Sequence, residues 1–333
     1  MKQIKAKTKS KLIILVNLFL ICTLMTVTVY SWFAAQADNR VDIYEIQVES
    51  KNALELSFDQ STWSGSLNLK DYKVGNKSVL DTLKLVEITG DGNTFRVPEL
   101  EQKAEYAVVK TNGHWDNATA NQDYIDFTVY MRSKDPLNVY LGSESAVVPA
   151  HTILTGENCE NPSSYTEGAD AFSRDCVIGA LRVSFDNSAD ARQIWITNPN
   201  YHLNNNQGST EYSMTFDAAP GQYSNGTLDT EGKPFFWNDP YKHYYYDLNN
   251  TVTTKDSNVL TELPETVTEV PTSTDTRLAV LDGTADANGY YTGSVTFRIW
   301  IEGCDTEARR ALVDGSFALS LVFDAFDIDF PSD

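Results

Sequence analysis

The sequence predicts an all-β protein, an antiparallel β-sandwich behind an N-terminal transmembrane or signal helix. Three observations predict it. Apolar and polar residues alternate with period two in one segment after another beyond residue 38. Asn-Gly and Asp-Gly type turn signals separate those segments. An uncharged run of 26 residues, 12–37, stands in front of them.

The run reads LIILVNLFLICTLMTVTVYSWFAAQA and follows Lys2, Lys5, Lys7, Lys9 and Lys11. As a helix it rises about 39 Å at ~1.5 Å per residue, more than the roughly 30 Å of bilayer hydrocarbon. The lysines stay on the cytoplasmic side, so the rest of the chain is expected outside. Two readings follow. Ala35 and Ala37 flanking Gln36 fit the A-x-A site of a cleaved secretion signal. An uncleaved anchor fits the length of the run and places Tyr30 and Trp32 at the outer interface. The expected organisation is therefore a leader over 1–37 and an exported domain over 38–333, either held on the membrane through 12–37 and facing outward or released.

Charge narrows the function. The chain carries 26 basic and 46 acidic residues, a formal net of −20, and without the five leading lysines 21 basic residues face 46 acidic ones. A nucleic-acid binder needs a basic face, so that class is excluded. A content of 41% hydrophobic and 11% aromatic residues excludes a disordered acidic chain.

The strands are expected in order. Alternation is clearest over 125–132, 177–185, 295–302 and 317–324, where one face reads Ile125, Phe127, Val129, Met131 and, later, Val295, Phe297, Ile299, Ile301. Further strand candidates are 41–49, 53–58, 104–110, 137–141, 193–197 and 277–281. In the first of these Val41 and Ile43 alternate, then Ile46 and Val48 continue shifted by one residue, the mark of a bulge. Turn signals fall at Gly90-Asp91-Gly92-Asn93, Asn112-Gly113, Asp186-Asn187, Asn225-Gly226 and Asn288-Gly289. A short helix is expected over 305–313, and 78–86 fits helix or strand. Residues 251–276 hold nine threonines and two prolines and read as an extended, poorly packed insertion.

Cys22 lies in the leader, and Cys159, Cys176 and Cys304 follow it. A disulfide between Cys159 and Cys176 would close a polar loop, worth about 3 kcal/mol in the chain-entropy model, and would persist outside the cytoplasm. The other reading is two unpaired small residues. Cys304 has no evident partner.

The opening Tyr30-Ser-Trp-Phe-Ala-Ala, then Val41-Asp-Ile-Tyr-Glu-Ile-Gln-Val, resembles the start of exported Gram-positive surface and biofilm-matrix proteins of the camelysin/TasA type. Later segments such as Gln193-Ile-Trp-Ile and Arg298-Ile-Trp-Ile-Glu-Gly are similar to segments of exported relatives of that group. The resemblance is strongest over residues 1–60. It implies a jelly-roll-like sandwich, a dedicated signal peptidase and a role in surface or matrix assembly. The length, the 159–176 loop and the Thr-rich segment depart from it.

Catalytic patterns are absent from the sequence. There is no His-Glu-x-x-His among His114, His151, His202 and His243, no Gly-x-Ser-x-Gly and no phosphate-binding glycine loop. Leu263-Pro264-Glu265-Thr266 begins like a sortase signal, but Val267 replaces glycine and no hydrophobic, basic tail follows. Asp282, Asp286 and Asn288, and Asp324, Asp327 and Asp329, lack the EF-hand spacing for calcium and read as solvated acidic segments. No cofactor is expected.

The leading expectation is a non-enzymatic cell-surface or matrix protein that works by protein–protein contact, as a fibre subunit. Its self-assembly strand would carry Val41, Ile43, Ile46 and Val48. A second reading is a glycan-binding adhesin using Tyr241, Tyr244, Tyr245 and Tyr246, whose rings pair a flat apolar face with a polar tip. A third is a metallopeptidase-like hydrolase, which requires at least two histidines beside a carboxylate.

Overall fold

Two twelve-residue strands, Tyr291–Glu302 and Ser316–Asp327, organise the two main sheets of the chain. The computed structural model describes residues 42–50, 54–83, 85–98, 100–102, 107–109, 115–149, 174–198, 243–246, 252–255, 257–264, 273–303 and 315–328. The chain divides between Asn39 and Arg40 into two units, and every described residue belongs to the second, Arg40–Asp333. Residues 12–37 and the helix expected over 305–313 lie outside the described residues. Among the described residues, no helix is long and apolar enough to cross a membrane.

The first sheet has six strands. Its order is Arg277–Leu281, Leu137–Leu141, Ser316–Asp327, Asp42–Ser50 and Ser66–Asn68, and Ala146–Pro149 also pairs with Ser316–Asp327. The second has nine. Along Trp115–Asn117, Phe95–Pro98, Glu87–Gly90, Tyr291–Glu302, Leu181–Asp186, Arg192–Ile196 and Val259–Leu260 it runs edge to edge. Ile125–Ser133 completes it by pairing with Tyr291–Glu302 and with Glu55–Ser57.

One apolar layer is shared by both sheets. Alternate residues of the nine-stranded sheet (Phe127, Val129, Val183, Phe185, Phe297, Ile299) and of the six-stranded sheet (Ile46, Val139, Phe317, Leu321, Phe323) belong to a single buried cluster. Phe297 and Phe323, one from each sheet, stack with centroids 5.8 Å apart. Each such side chain contributes about 1.5–3 kcal/mol by leaving water. Where Tyr291–Glu302 crosses Arg277–Leu281, Gly293 keeps the contact close. A Cβ there would stand 2.6 Å from Leu281 Cδ2 and 3.2 Å from Ala279 Cβ.

Three sequence expectations change. The sheets are mixed rather than antiparallel, because Asp42–Ser50, Glu87–Gly90 and Val259–Leu260 each pair in parallel with a neighbour. Alternation reports which residues share a face and carries no information on strand direction. The strand expected over 177–185 begins only at Leu181, because Arg174–Ala180 is a 3-10 helix. Val177, Ile178 and Ala180 are all buried, so that segment has no wet face to alternate with. Part of the Thr-rich segment is sheet: Val252–Lys255 forms a hairpin with His243–Tyr246, and Leu260 and Leu263 pack on the core. The ambiguous 78–86 segment contains one helical turn, Val79–Thr82, closed by Leu83 N–H to the Val79 carbonyl at 3.0 Å.

Truncating Phe297 to Ala is expected to cost about 3–5 kcal/mol, because its ring touches Phe127, Phe185 and Phe323. Ser294→Ala, on the exposed side of the same strand, is expected to stay within about 0.5 kcal/mol. Urea unfolding midpoints of the two variants against the parent check both figures.

Candidate functional site: the N-terminal strand

Asp42–Ser50 is the first described strand, and it lies directly against the last. The two run parallel, from Asp42 opposite Ser316 to Ser50 opposite Phe323. The register shifts between Ile43 and Glu45, at the break in the apolar alternation. The shift lets Ile46 and Val48 continue into the core, where they are 0% and 1% exposed.

The other edge of the strand is covered over a short stretch. Only Gln47, Val48 and Glu49 pair with Ser66–Asn68, in antiparallel register. Among the described residues no second strand lies beside Asp42–Ile46. The far end is tied: Ser50 N–H donates to the Gly65 carbonyl at 3.0 Å, and Ser50 Oγ donates to the Leu54 carbonyl at 2.6 Å. The strand is thus held by a backbone ladder, two core side chains and one anchored end. A strand with this attachment can be supplied by the same chain or by a second copy with identical contacts.

The other chemistry-bearing residues gather on the outer face of the nine-stranded sheet. Trp300, Arg182 and Glu302 occupy positions that alternation assigns to the wet side, yet they are 0%, 1% and 0% exposed. A second apolar cluster, Ile88, Phe95, Tyr124, Ile194 and Trp300, covers this face. The turn at 91–94 lies flat on it because Gly92 adopts φ +86, where a Cβ would sit 3.1 Å from Ile194 Cγ1 and from Ser184 Cβ. Ser184 Oγ and Arg192 Nη1 both donate to the Gly92 carbonyl at 2.8 Å, while Asp186 grips Arg192 through two bonds of 2.6 Å.

His243 enters this cluster fully buried. Its Nε2 lies 2.5 Å from the Gly90 carbonyl. A carbonyl only accepts, so Nε2 carries the proton and Nδ1 the lone pair. Nδ1 has no hydrogen-bond partner among the described residues. The ring meets Trp300 edge-on and stacks on Tyr245. Trp300 Nε1 donates to Glu302 Oε2 at 2.9 Å, and that oxygen lies 3.6 Å from His243 Nε2. Burial, reinforced by the Arg182 guanidinium and opposed by the Gly90 carbonyl, lowers the His243 pKa to about 3.

The remaining candidate residues are placed as follows. Ala35, Ala37, Val41, Cys159 and Tyr241 are outside the described residues. Cys176 lies in the 3-10 helix Arg174–Ala180. Tyr244, Tyr245 and Tyr246 share the His243–Tyr246 strand, and Tyr245 is half-buried against His243 instead of standing free. His243 has the Glu302 carboxylate 3.6 Å away, while the other three histidines lie outside the described residues. Among the described residues no three metal-ligating side chains gather. Asp324 is buried within its sheet, whereas Asp282 is exposed. The buried group of Arg182, Glu302 and His243 escapes sequence reasoning, because outward positions on a strand read as solvated. Trp300 at such a position is the one signal that something covers that face. Compared with family models, curated proteins and solved structures, the chain matches none.

The sign of the His243 effect is fixed by its lowered pKa. Between the ordinary value near 6.5 and about 3, the unfolded chain binds a proton that the folded chain refuses. This contribution to stability is therefore full above pH 6.5 and is lost as pH falls toward 3. Melting curves of the parent and of His243→Phe between about pH 7 and pH 4 should diverge, the parent losing more. Parallel curves would contradict the assignment.

Proposed function

We propose that this chain is an exported, non-enzymatic surface or matrix protein whose two sheets form a jelly-roll-like β-sandwich. It works by strand contact between copies, as a subunit of a fibre or biofilm-type matrix. The supporting observation is the seating of Asp42–Ser50: a terminal strand, parallel to the last strand, with its leading half paired on one side among the described residues. In the exchanged form the strand of one copy lies along Ser316–Asp327 of the next. Main-chain hydrogen bonds carry the contact, and the pocket for Ile46 and Val48 sets its register. The uncharged run at 12–37 and the resemblance of the opening residues to matrix subunits support export. Release by cleavage after Ala37 fits this reading better than a permanent anchor, because tethered copies cannot exchange along a fibre.

Gln47 stands opposite Ser320 in the parallel register, which allows a direct test. In a Gln47→Cys, Ser320→Cys double variant, oxidation after assembly is expected to give a covalent ladder of multimers on a non-reducing gel. Each single variant should give none of it. A product that remains a monomer at every concentration tested would show that the strand stays in its own chain and would defeat the proposal. N-terminal sequencing of exported protein is expected to begin at residue 38.

The cysteines offer a separate check. Peptide mapping without reduction is expected to recover Cys159 linked to Cys176, with Cys304 free to alkylate. Full alkylation of all three thiols in unreduced protein would exclude the bridge.

A further inference from the structure

At one end of the nine-stranded sheet, rings and cations alternate. The guanidinium carbon of Arg132 lies 4.2 Å from the Trp63 ring and 4.2 Å from the Tyr290 ring, and Lys134 Nζ lies 3.6 Å from Tyr290. Arg132 also pairs with Glu55 on the neighbouring strand. The loops that bring these residues together are tied internally. Asp59 accepts from the Thr62 and Ser61 backbone N–H groups, and Asp286 accepts from those of Tyr290 and Asn288. These bonds hold both carboxyls below the usual carboxylate range. Lys134 Nζ donates to the Asn288 carbonyl at 2.6 Å and so links two of the loops.

Beside this stack is a groove of about 430 Å³, within the roughly 300–1,000 Å³ of small-ligand sites. Ser50, Glu55, Ser133, Lys134, Asp135 and Tyr290 line it, and Leu54 forms part of its wall while itself buried. We propose that this groove binds a neutral saccharide unit.

The lining chemistry selects that class. Carboxylates at Glu55 and Asp135 repel an anion, and the ammonium of Lys134 repels a cation. A neutral ligand rich in hydroxyls meets neither penalty. Each sugar hydroxyl donates to a carboxylate and accepts from an ammonium or serine hydroxyl, so both signs of the lining are used at once. Tyr290, whose ring is taken by Arg132 and Lys134, offers such a ligand its hydroxyl. The tied loops and the ring–cation stack present these groups already ordered, which lowers the entropy cost of binding. None of the residues lining the groove belongs to the His243–Tyr246 strand. The proposal is also independent of strand exchange, since it uses only the end of Asp42–Ser50 at Ser50.

The test is calorimetric titration of the full-length chain in a detergent without sugar headgroups. The ligands are cellotetraose, maltotetraose and chitotetraose, with sialyllactose as the acidic comparison. At least one neutral tetrasaccharide is expected to bind with a Kd on the order of 1 mM or tighter. Asp135→Ala, and Tyr290→Phe, which keeps the ring in its stack, should each weaken binding about fivefold or more with the melting temperature unchanged. Asp282→Ala, outside the groove, should leave binding as it was. The proposal falls if none of the neutral ligands binds, if both groove variants bind as the parent does, or if sialyllactose is preferred.

Discussion

A strand inside a sheet must have its backbone hydrogen bonds satisfied along both edges, and the fold depends on how this is met for Ser316–Asp327. On one side the need is met by Leu137–Leu141 and Ala146–Pro149, laid end to end. On the other side, among the described residues, it is met by Asp42–Ser50, from Ser316 to Phe323. The same strand sends Phe317, Leu319, Leu321 and Phe323 into the shared core. Withdrawal of the first strand would therefore open a backbone edge and uncover apolar side chains together. That coupling makes the seat selective for a strand of matching register, because a slip of one residue would turn Ile46 and Val48 out of the core.

The outer face of the nine-stranded sheet solves a different problem. A half-buried sheet normally leaves one side to water. Here the 91–94 turn and His243 cover part of it, so Arg182, Glu302, Trp300 and His243 give up solvent together. Buried groups of this kind are costly unless they bond to one another. The Trp300–Glu302 and His243–Gly90 bonds meet part of that need, and an imidazole kept neutral costs less than an imidazolium beside a guanidinium. The acid sensitivity of this face follows from the same balance.

Much of the inner layer is legible in the sequence. Residues 137–141 and 277–281 are strands with the expected bounds, and the bulge near Ile43 follows from its shifted alternation. The turn signals at Asp91-Gly92, Asp186-Asn187 and Asn288-Gly289 fall between paired or consecutive strands. What is not legible is non-local. Strand direction depends on chain crossings that leave no trace in a period of two. Burial of Arg182 and Glu302 depends on segments distant in sequence, the 91–94 turn and the His243–Tyr246 strand. The stack of Trp63, Arg132 and Tyr290 joins three separate segments, each of which reads alone as an ordinary polar turn or strand end.

Charge explains why backbone contact, and not side-chain attraction, must carry any association between copies. With 46 acidic residues against 26 basic ones, two copies repel at distances beyond a few ångströms, and salt at physiological strength screens this over roughly 8 Å. The leading strand adds the exposed Glu49 to that repulsion. Acidic edges of this kind suppress indiscriminate pairing between sheets. An association that still forms must bring its own hydrogen-bond ladder and a buried apolar seat. Asp42–Ser50 has the ladder along Ser316–Asp327 and the seat at Ile46 and Val48. If copies exchange strands as proposed, that ladder and that seat supply the contact that charge repulsion denies to the side chains.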